Sequence, residues 1–240
     1  FRNIQDAVTA SGVGPGGSSG GQIILIKSGT YYENVKFDVV VEGSNGGTWL
    51  IGMGRLVMID GGTTGNAIGS IGNYHHSDKF INLNLKTTPG GGNNYSGISK
   101  SHSEANWVLF CDISASDSDG IIQNGSYCRK WIIAFNNIVS CDNRAIFMEG
   151  QGNLFLGNTI DTISGLYEIE LYSGAPVPLG ARIIGNICKS EPTAVTNSVK
   201  QGSDTSHPVV LGNQFRTGTS IGDTDQTGVQ FNAVMPQSSP

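Results

Sequence analysis

The chain has 240 residues, a formal net charge of −5, 35 glycines and only 14% charged residues, against about 25% in an average soluble domain. This composition, rich in turn formers and poor in charge, suits many short strands better than helices. No block of Lys or Arg offers the footprint of a nucleic-acid partner, and no run of 18 apolar residues provides a membrane span.

In chain order, "FRNIQDAV" places Ile4, Ala7 and Val8 on one helical face. A short capping helix over residues 1–10 is expected to cover the open end of the fold and block edge-to-edge pairing. The opening at Phe1 rather than Met is expected of a trimmed or matured product, so a missing leader says nothing about export. "GVGPGGSSGG" (12–21) reads as a flexible loop. Strands follow in "QIILIK", in "TYYENVKF" after a turn at Ser28-Gly29, in "TWLIGMG" and in "LVMIDGG". His75 and His76 are adjacent, so on a strand they would face opposite ways; they read as a turn or outer face rather than a metal site. No linker divides the chain, and residues 1–240 are expected to form a single domain.

Further along, three stretches read alike: "LGNTI" (Leu156–Ile160), "IGNIC" (Ile184–Cys188) and "LGNQF" (Leu211–Phe215). "AFNNI" and "LFCDI" are looser copies upstream, centred on Asn136 and Cys111. Period-two alternation makes each copy a strand, with Leu109, Ala134, Leu156, Ile184 and Leu211 sharing the inward face of the central Asn. A buried Asn is costly unless its amide is bonded. Stacked asparagines bonding to one another and to the turn backbone meet that requirement, as a ladder running up a coil. A second strand signal follows: Gly97-Ile98, Gly120-Ile121, Ala145-Ile146, Ala194-Val195 and Gly228-Val229, with the copy in "SGLYEIELY" open between two registers. Two strands per repeat of roughly 20 to 30 residues imply a parallel β-solenoid. Cys111, Cys128, Cys141 and Cys188 form no C-x-x-C pair and read as small buried hydrophobes.

Together these features resemble the right-handed parallel β-helix proteins of the pectin-lyase-like superfamily. "IQDAV" followed by "IKSGTYYENV" looks like the opening of pectinesterase-like members, and the Asn repeats look like the generic β-helix repeat. The resemblance implies an all-β, single-stranded right-handed parallel β-helix with a short N-terminal capping helix. It also implies a bias toward carbohydrate, without specifying a reaction. The family's catalytic signatures are mostly missing. There is no pectinesterase Asp-Phe-x-Phe-Gly and no pectate-lyase Arg-x-Pro-x-x-Arg. Of the polygalacturonase set, "SDSDG" and "CDNRAI" are echoes, with Asn143 where a second Asp belongs and no His in "EGQGN".

Stacking assigns the acids to columns. With Gly120 over Ala145, Asp117 lies over Asp142; the same offset reaches Asn94, Glu191 and Asp225. Stacked carboxylates about 5 Å apart suit a glycosidase pair. They equally suit Ca²⁺ oxygen ligands, or turn residues bonding their own backbone. Asp119 falls over Arg144, which reads either as an exposed ion pair or, with Glu149, as the lining of a sugar groove. Glu168 and Glu170 alternate with Ile169 and Leu171 and should face solvent, with Tyr167 and Tyr172 as flat surfaces for sugar rings. Trp107 and Trp131 read as a packed aromatic stack. The catalytic candidates are therefore Asp119, Asp142 and Asp117; the carbohydrate-binding candidates are Arg144, Glu149, Glu168, Glu170, Tyr167 and Tyr172. No cofactor is expected beyond the Ca²⁺ alternative. The preferred function is an extracellular or virion-surface β-helix, like a phage tailspike or decoration protein, that contacts polysaccharide or cell-surface glycan. A homotrimer fits that reading. The alternatives are a secreted hydrolase or lyase, and a purely structural scaffold.

Overall fold

A computed structural model describes residues 1–10, 22–37, 47–70, 77–88, 95–115, 118–125, 129–163, 167–171, 180–190, 197–201, 209–215 and 230–234. The chain coils into a parallel β-solenoid with a short helix, Ile4–Ala10, at its N-terminal end. The 12–21 loop, His75, His76 and Cys128 lie outside the described residues.

The strands stack in three columns. The first contains Ile23–Tyr32, Trp49–Asp60, Lys79–Ile81, Trp107–Leu109, Ile132–Ala134, Leu154–Leu156, Arg182–Ile184 and Val209–Phe215. The second begins with the C-terminal halves of Ile23–Tyr32 and Trp49–Asp60. It continues through Asn84–Thr87, Asp112–Ala115, Asn137–Cys141, Thr159–Thr162 and Ile187–Cys188 to the end of Val209–Phe215. The third runs Val35–Phe37, Ile68–Ser70, Ile98–Ser101, Ile121–Asn124, Arg144–Met148, Tyr167–Leu171 and Asn197–Gln201. A last strand, Gln230–Val234, pairs with Val209–Phe215.

Between the first two columns the chain turns a corner, and there the Asn repeat has its physical cause. The residue before the central position adopts a left-handed backbone: Asn82, Phe110, Phe135, Gly157, Gly185 and Gly212 have φ between 54° and 65°. Only glycine takes that conformation without a steric cost, hence Gly before Asn in the last three copies. Next comes the ladder. The Asn136, Asn158 and Asn186 side chains each donate to the next Asn Oδ1 in the stack at 2.9 Å. The same oxygens accept the backbone N–H of the preceding Asn at 2.8–3.0 Å. The second amide hydrogens bond the carbonyls of Val108, Ile133, Phe155 and Ile183. All four asparagines are buried.

The left-handed residue also corrects the alternation. It shifts the phase at the corner, so Val108, Phe155, Ile183 and Val210 fill the core while Leu109, Leu156, Ile184 and Leu211 turn outward. The exposed Phe110 and Phe135 rings at the corner stack at 5.4 Å. In the third column Ile98, Ile121 and Ile146 align as expected. The open copy resolves with Ile169 over Ile146, which puts Glu168 at the position of Gly120 and Ala145. In the following coil that position falls to Ser198, with Val199 over Ile169, and the Ala194-Val195 register is thereby corrected; Asn94, Glu191 and Asp225 lie outside the described residues. Ala194, Val195, Gly228 and Val229 lie outside the described residues.

The helix sits as anticipated, with Ile4, Ala7 and Val8 buried. Its first turn is held from the coil: the Glu33 carboxylate accepts the Ile4 and Gln5 N–H groups at 2.8 and 2.9 Å, and Asn3 caps Asp6 N–H at 2.7 Å. Inside the coil, Lys100 and Asp78 form a fully buried ion pair, with the ammonium 4.6 Å from the Phe37 ring. Trp131 is buried and its Nε1–H donates to Ser103 O at 2.9 Å. Trp107 pairs in register with Ile132 instead of Trp131 and holds Lys79 Nζ 4.4 Å above its ring. The expected tryptophan stack does not form.

Two outcomes follow from this packing. Asn158→Ala removes one rung of the ladder and orphans the Asn136 N–H. Urea denaturation should register a loss of about 3 kcal/mol, since each buried unsatisfied polar group costs about 1–3 kcal/mol; Asn137→Ala, at an exposed site, should cost under about 1 kcal/mol. Cys111, Cys141 and Cys188 are buried free thiols. Burial pushes the Cys111 and Cys141 thiols from 9.0 up to about 12. Native protein should leave all three unalkylated at pH 8, with reaction appearing on unfolding. Because the unfolded thiols ionise near 9, the stability they contribute is complete below that pH and is lost as pH rises toward 12. A urea midpoint that does not fall between pH 8.5 and 10.5 would contradict this.

Candidate functional site

The outer side of the third column brings the candidate residues together. At Gly97 and Gly120 the corner admits no side chain: a Cβ on Gly120 would lie 2.6 Å from the Ile138 side chain and 2.7 Å from the Ala145 carbonyl. The chain therefore passes this corner with its backbone tight against the core, and the residue before the glycine, Asp119, is held directly over Arg144.

Arg144 binds Asp119 with both ends of its fork, Nε to Oδ1 at 2.7 Å and Nη2 to Oδ2 at 2.9 Å. Its remaining nitrogen, Nη1, reaches down the stack to Glu170 Oε2 at 2.7 Å. The guanidinium lies 4.0 Å over the Phe147 ring, which sits in register with Glu170. The carboxylates are almost fully covered, at 3% and 8% side-chain exposure, and Arg144 at 18% is the group that still meets solvent. Burial works against the Arg144 charge, but its bonds and attraction to Asp119 and Glu170 outweigh that and hold its pKa above the ordinary value. Bidentate charge-assisted pairs of this kind are among the strongest hydrogen bonds a surface can carry.

This geometry differs from the expected exposed ion pair. Asp119 is buried, and both of its oxygens are committed to a permanent cation. A carboxylate covered from solvent and held on both oxygens is not placed to approach a substrate. Asp142 is exposed, on the turn two residues before Arg144. Asp117 and Tyr172 lie outside the described residues. Tyr167 pairs in register with Arg144 and is half-exposed on the same face. Glu149, one rung end further along, accepts the Gly125 N–H.

The expectation that Glu168 and Glu170 face solvent is corrected for both. Because two successive residues turn inward at the corner, Glu168 points into the coil, where its carboxylate accepts the Ser190 N–H at 3.1 Å and the Ser190 hydroxyl. Ser190 in turn bonds Thr162. Glu168 is thus part of an internal polar ladder that also raises the Cys188 thiol, second to the effect of burial. Glu170 faces outward but is covered by Arg144. Phe147 went unread as a site residue; its place two residues after the inward Ala145 is the signal for it. Among the described residues no group of three or more His, Cys, Asp or Glu side chains is arranged to hold a metal ion.

Toward the N-terminal end of the same face lies a cleft of about 200 Å³ lined by Asn34, Lys36, Thr64, Asn66, Ser70 and Tyr95. It lies three to four rungs from Arg144, about 14–19 Å at 4.8 Å per rung.

No protein-family model matches the chain, and no curated protein matches it by sequence. Solved structures do. Pectin methylesterase from carrot superimposes with a TM-score of 0.60 at 16% identity, over 99% of this chain and 85% of that one. The Geobacillus virus E2 protein ORF18 gives a TM-score of 0.50 at 14% identity, over 97% of this chain and 57% of the viral one. At these identities the likeness establishes the fold, a parallel β-helix.

Removing Arg144 should expose how much the network contributes. Arg144→Ala leaves Asp119 buried without its cation and takes the same cation from Glu170, and should lower the unfolding free energy by about 3 kcal/mol, whereas Asp119→Leu with Arg144→Leu should recover only the share due to Asp119. Thermal denaturation of the single and double variants measures this, and a single variant as stable as the parent would refute the assignment.

Proposed function

We propose that this chain is a polysaccharide-contacting β-solenoid of a virion surface or the extracellular space. It lays a glycan along its third face, between the cleft at Lys36 and Tyr95 and the platform of Arg144 and Tyr167. The observation that carries this reading is the double engagement of Asp119 by Arg144. It turns the strongest acid candidate into a fixed part of a binding surface and leaves the planar guanidinium edge and the Tyr167 ring outermost. Fixed polar groups beside an aromatic surface are what orient a sugar ring. The structural likeness to a pectin methylesterase supports the polysaccharide target, and that to a viral protein supports the virion setting. The test is affinity electrophoresis against a panel of neutral and acidic polysaccharides. Retardation by at least one is expected, and Tyr167→Ala should weaken it about tenfold, the equivalent of about 1.4 kcal/mol. No retardation by any polymer would leave the scaffold reading standing.

A second reading is a secreted polysaccharide-active enzyme. Exposed Asp142 favours it, since that residue lies on the turn two residues before Arg144. This reading expects the panel to release reducing ends, unsaturated uronate or methanol, and Asp142→Asn to abolish the release. Unchanged release would remove Asp142 and the reading with it.

A further inference from the structure

The outer side of the first column is unlike the rest of the surface. In each of its three-residue rungs the middle residue turns inward and the first and third turn outward, where all but Lys79 and Ala134 are at least partly exposed. The rungs stack without a register shift from Ile23 over Trp49 through Trp107, Ile132 and Leu154 to Val209. Every outward position is apolar except Lys79 and Arg182. Lys79 is already engaged within the chain, donating to Ala105 O at 2.6 Å and lying over Trp107. At the two ends of the stripe Leu25 is 59% and Leu211 is 39% exposed. The second column's outer side carries Asp112, Asn137 and Thr159, and the third carries the charged network, so the apolar stripe is specific to one face.

With rungs about 4.8 Å apart the stripe is about 34 Å long and two side chains wide, a footprint on the order of 450 Å². That is the size of the largest apolar patch a monomer carries, about 300–600 Å², and patches of that size are often functional. A glycan would leave its hydroxyls unbonded against it. Two such faces together bury about 900 Å², and with their rims they approach the ~1,000 Å² that a specific interface needs.

We propose that this face docks a second copy of the chain, stripe against stripe, about a two-fold axis that runs the two coils antiparallel. Flat apolar sheets pack face to face at about 10 Å, and the positions of the two cations decide the direction. Centred on the stripe, an antiparallel partner sets Arg182 over Trp49, a favourable cation–aromatic contact, and Lys79 opposite Leu154. A parallel partner brings each cation level with its own duplicate. The three-fold assembly expected from the resemblance has the same defect.

Light scattering on the full chain tests the proposal. A dimer is expected for the parent, and Leu156→Glu with Ile184→Glu should convert it to a monomer with unchanged circular dichroism. Mixing the single variants Trp49→Cys and Arg182→Cys under oxidation should yield a cross-linked pair, while Trp49→Cys alone should yield none. A parent that is monomeric at about 100 μM, a trimer, or a dimer insensitive to the two glutamates overturns the proposal, as does cross-linking of Trp49→Cys with itself. The outcome is independent of glycan binding, which is read on the other face.

Discussion

The structure depends on the need of a buried amide for partners on both sides. Each asparagine of the ladder offers its oxygen to the residue before it in the stack and its hydrogens to the one after and to a backbone carbonyl. An amide so placed is satisfied only if the coil above and the coil below keep the same register. Because an unpaired buried polar group costs about 1–3 kcal/mol, the ladder penalises any slip of one coil on another. Hydrophobic columns alone would do this less sharply, since Ile over Leu is nearly as good as Ile over Ile.

That register sets the rest. The ladder needs a left-handed residue immediately before each asparagine, and this residue divides the long strands of the first coils into the two columns of the later ones. It also directs Leu109, Leu156 and Ile184 outward, and so creates the apolar stripe. On the opposite side the tight glycine corner aligns Asp119 with Arg144, and Arg144 spans two rungs to Glu170. The charged platform and the apolar stripe therefore arise from one stacking rule acting at two different corners.

The parts legible in the sequence were those that repeat. Asn158, Asn186 and Asn213, at spacings of 28 and 27, disclose the coil length, and with it the placing of Asp119 over Arg144. Glu168 departs from the expected facing because alternation assumes a straight strand and two consecutive residues turn inward at the corner, whereas Glu170 keeps its outward direction and is covered by Arg144. Lys100 and Asp78 could not be read at all: 22 residues apart with no motif between them, they meet only because one column's interior faces another's corner. Trp107 and Trp131 look equivalent in sequence, yet a one-residue offset puts one outside and the other in the core.

By itself the sequence determined the class of fold, the coil length, the asparagine ladder and the helix that covers its end, because each is a local periodic signal with a single physical solution. Tertiary structure alone decided which acids meet solvent, which carboxylates Arg144 neutralises, and which face is left apolar. Those depend on the direction of side chains at corners, where a single left-handed or sterically excluded residue changes the facing of everything after it.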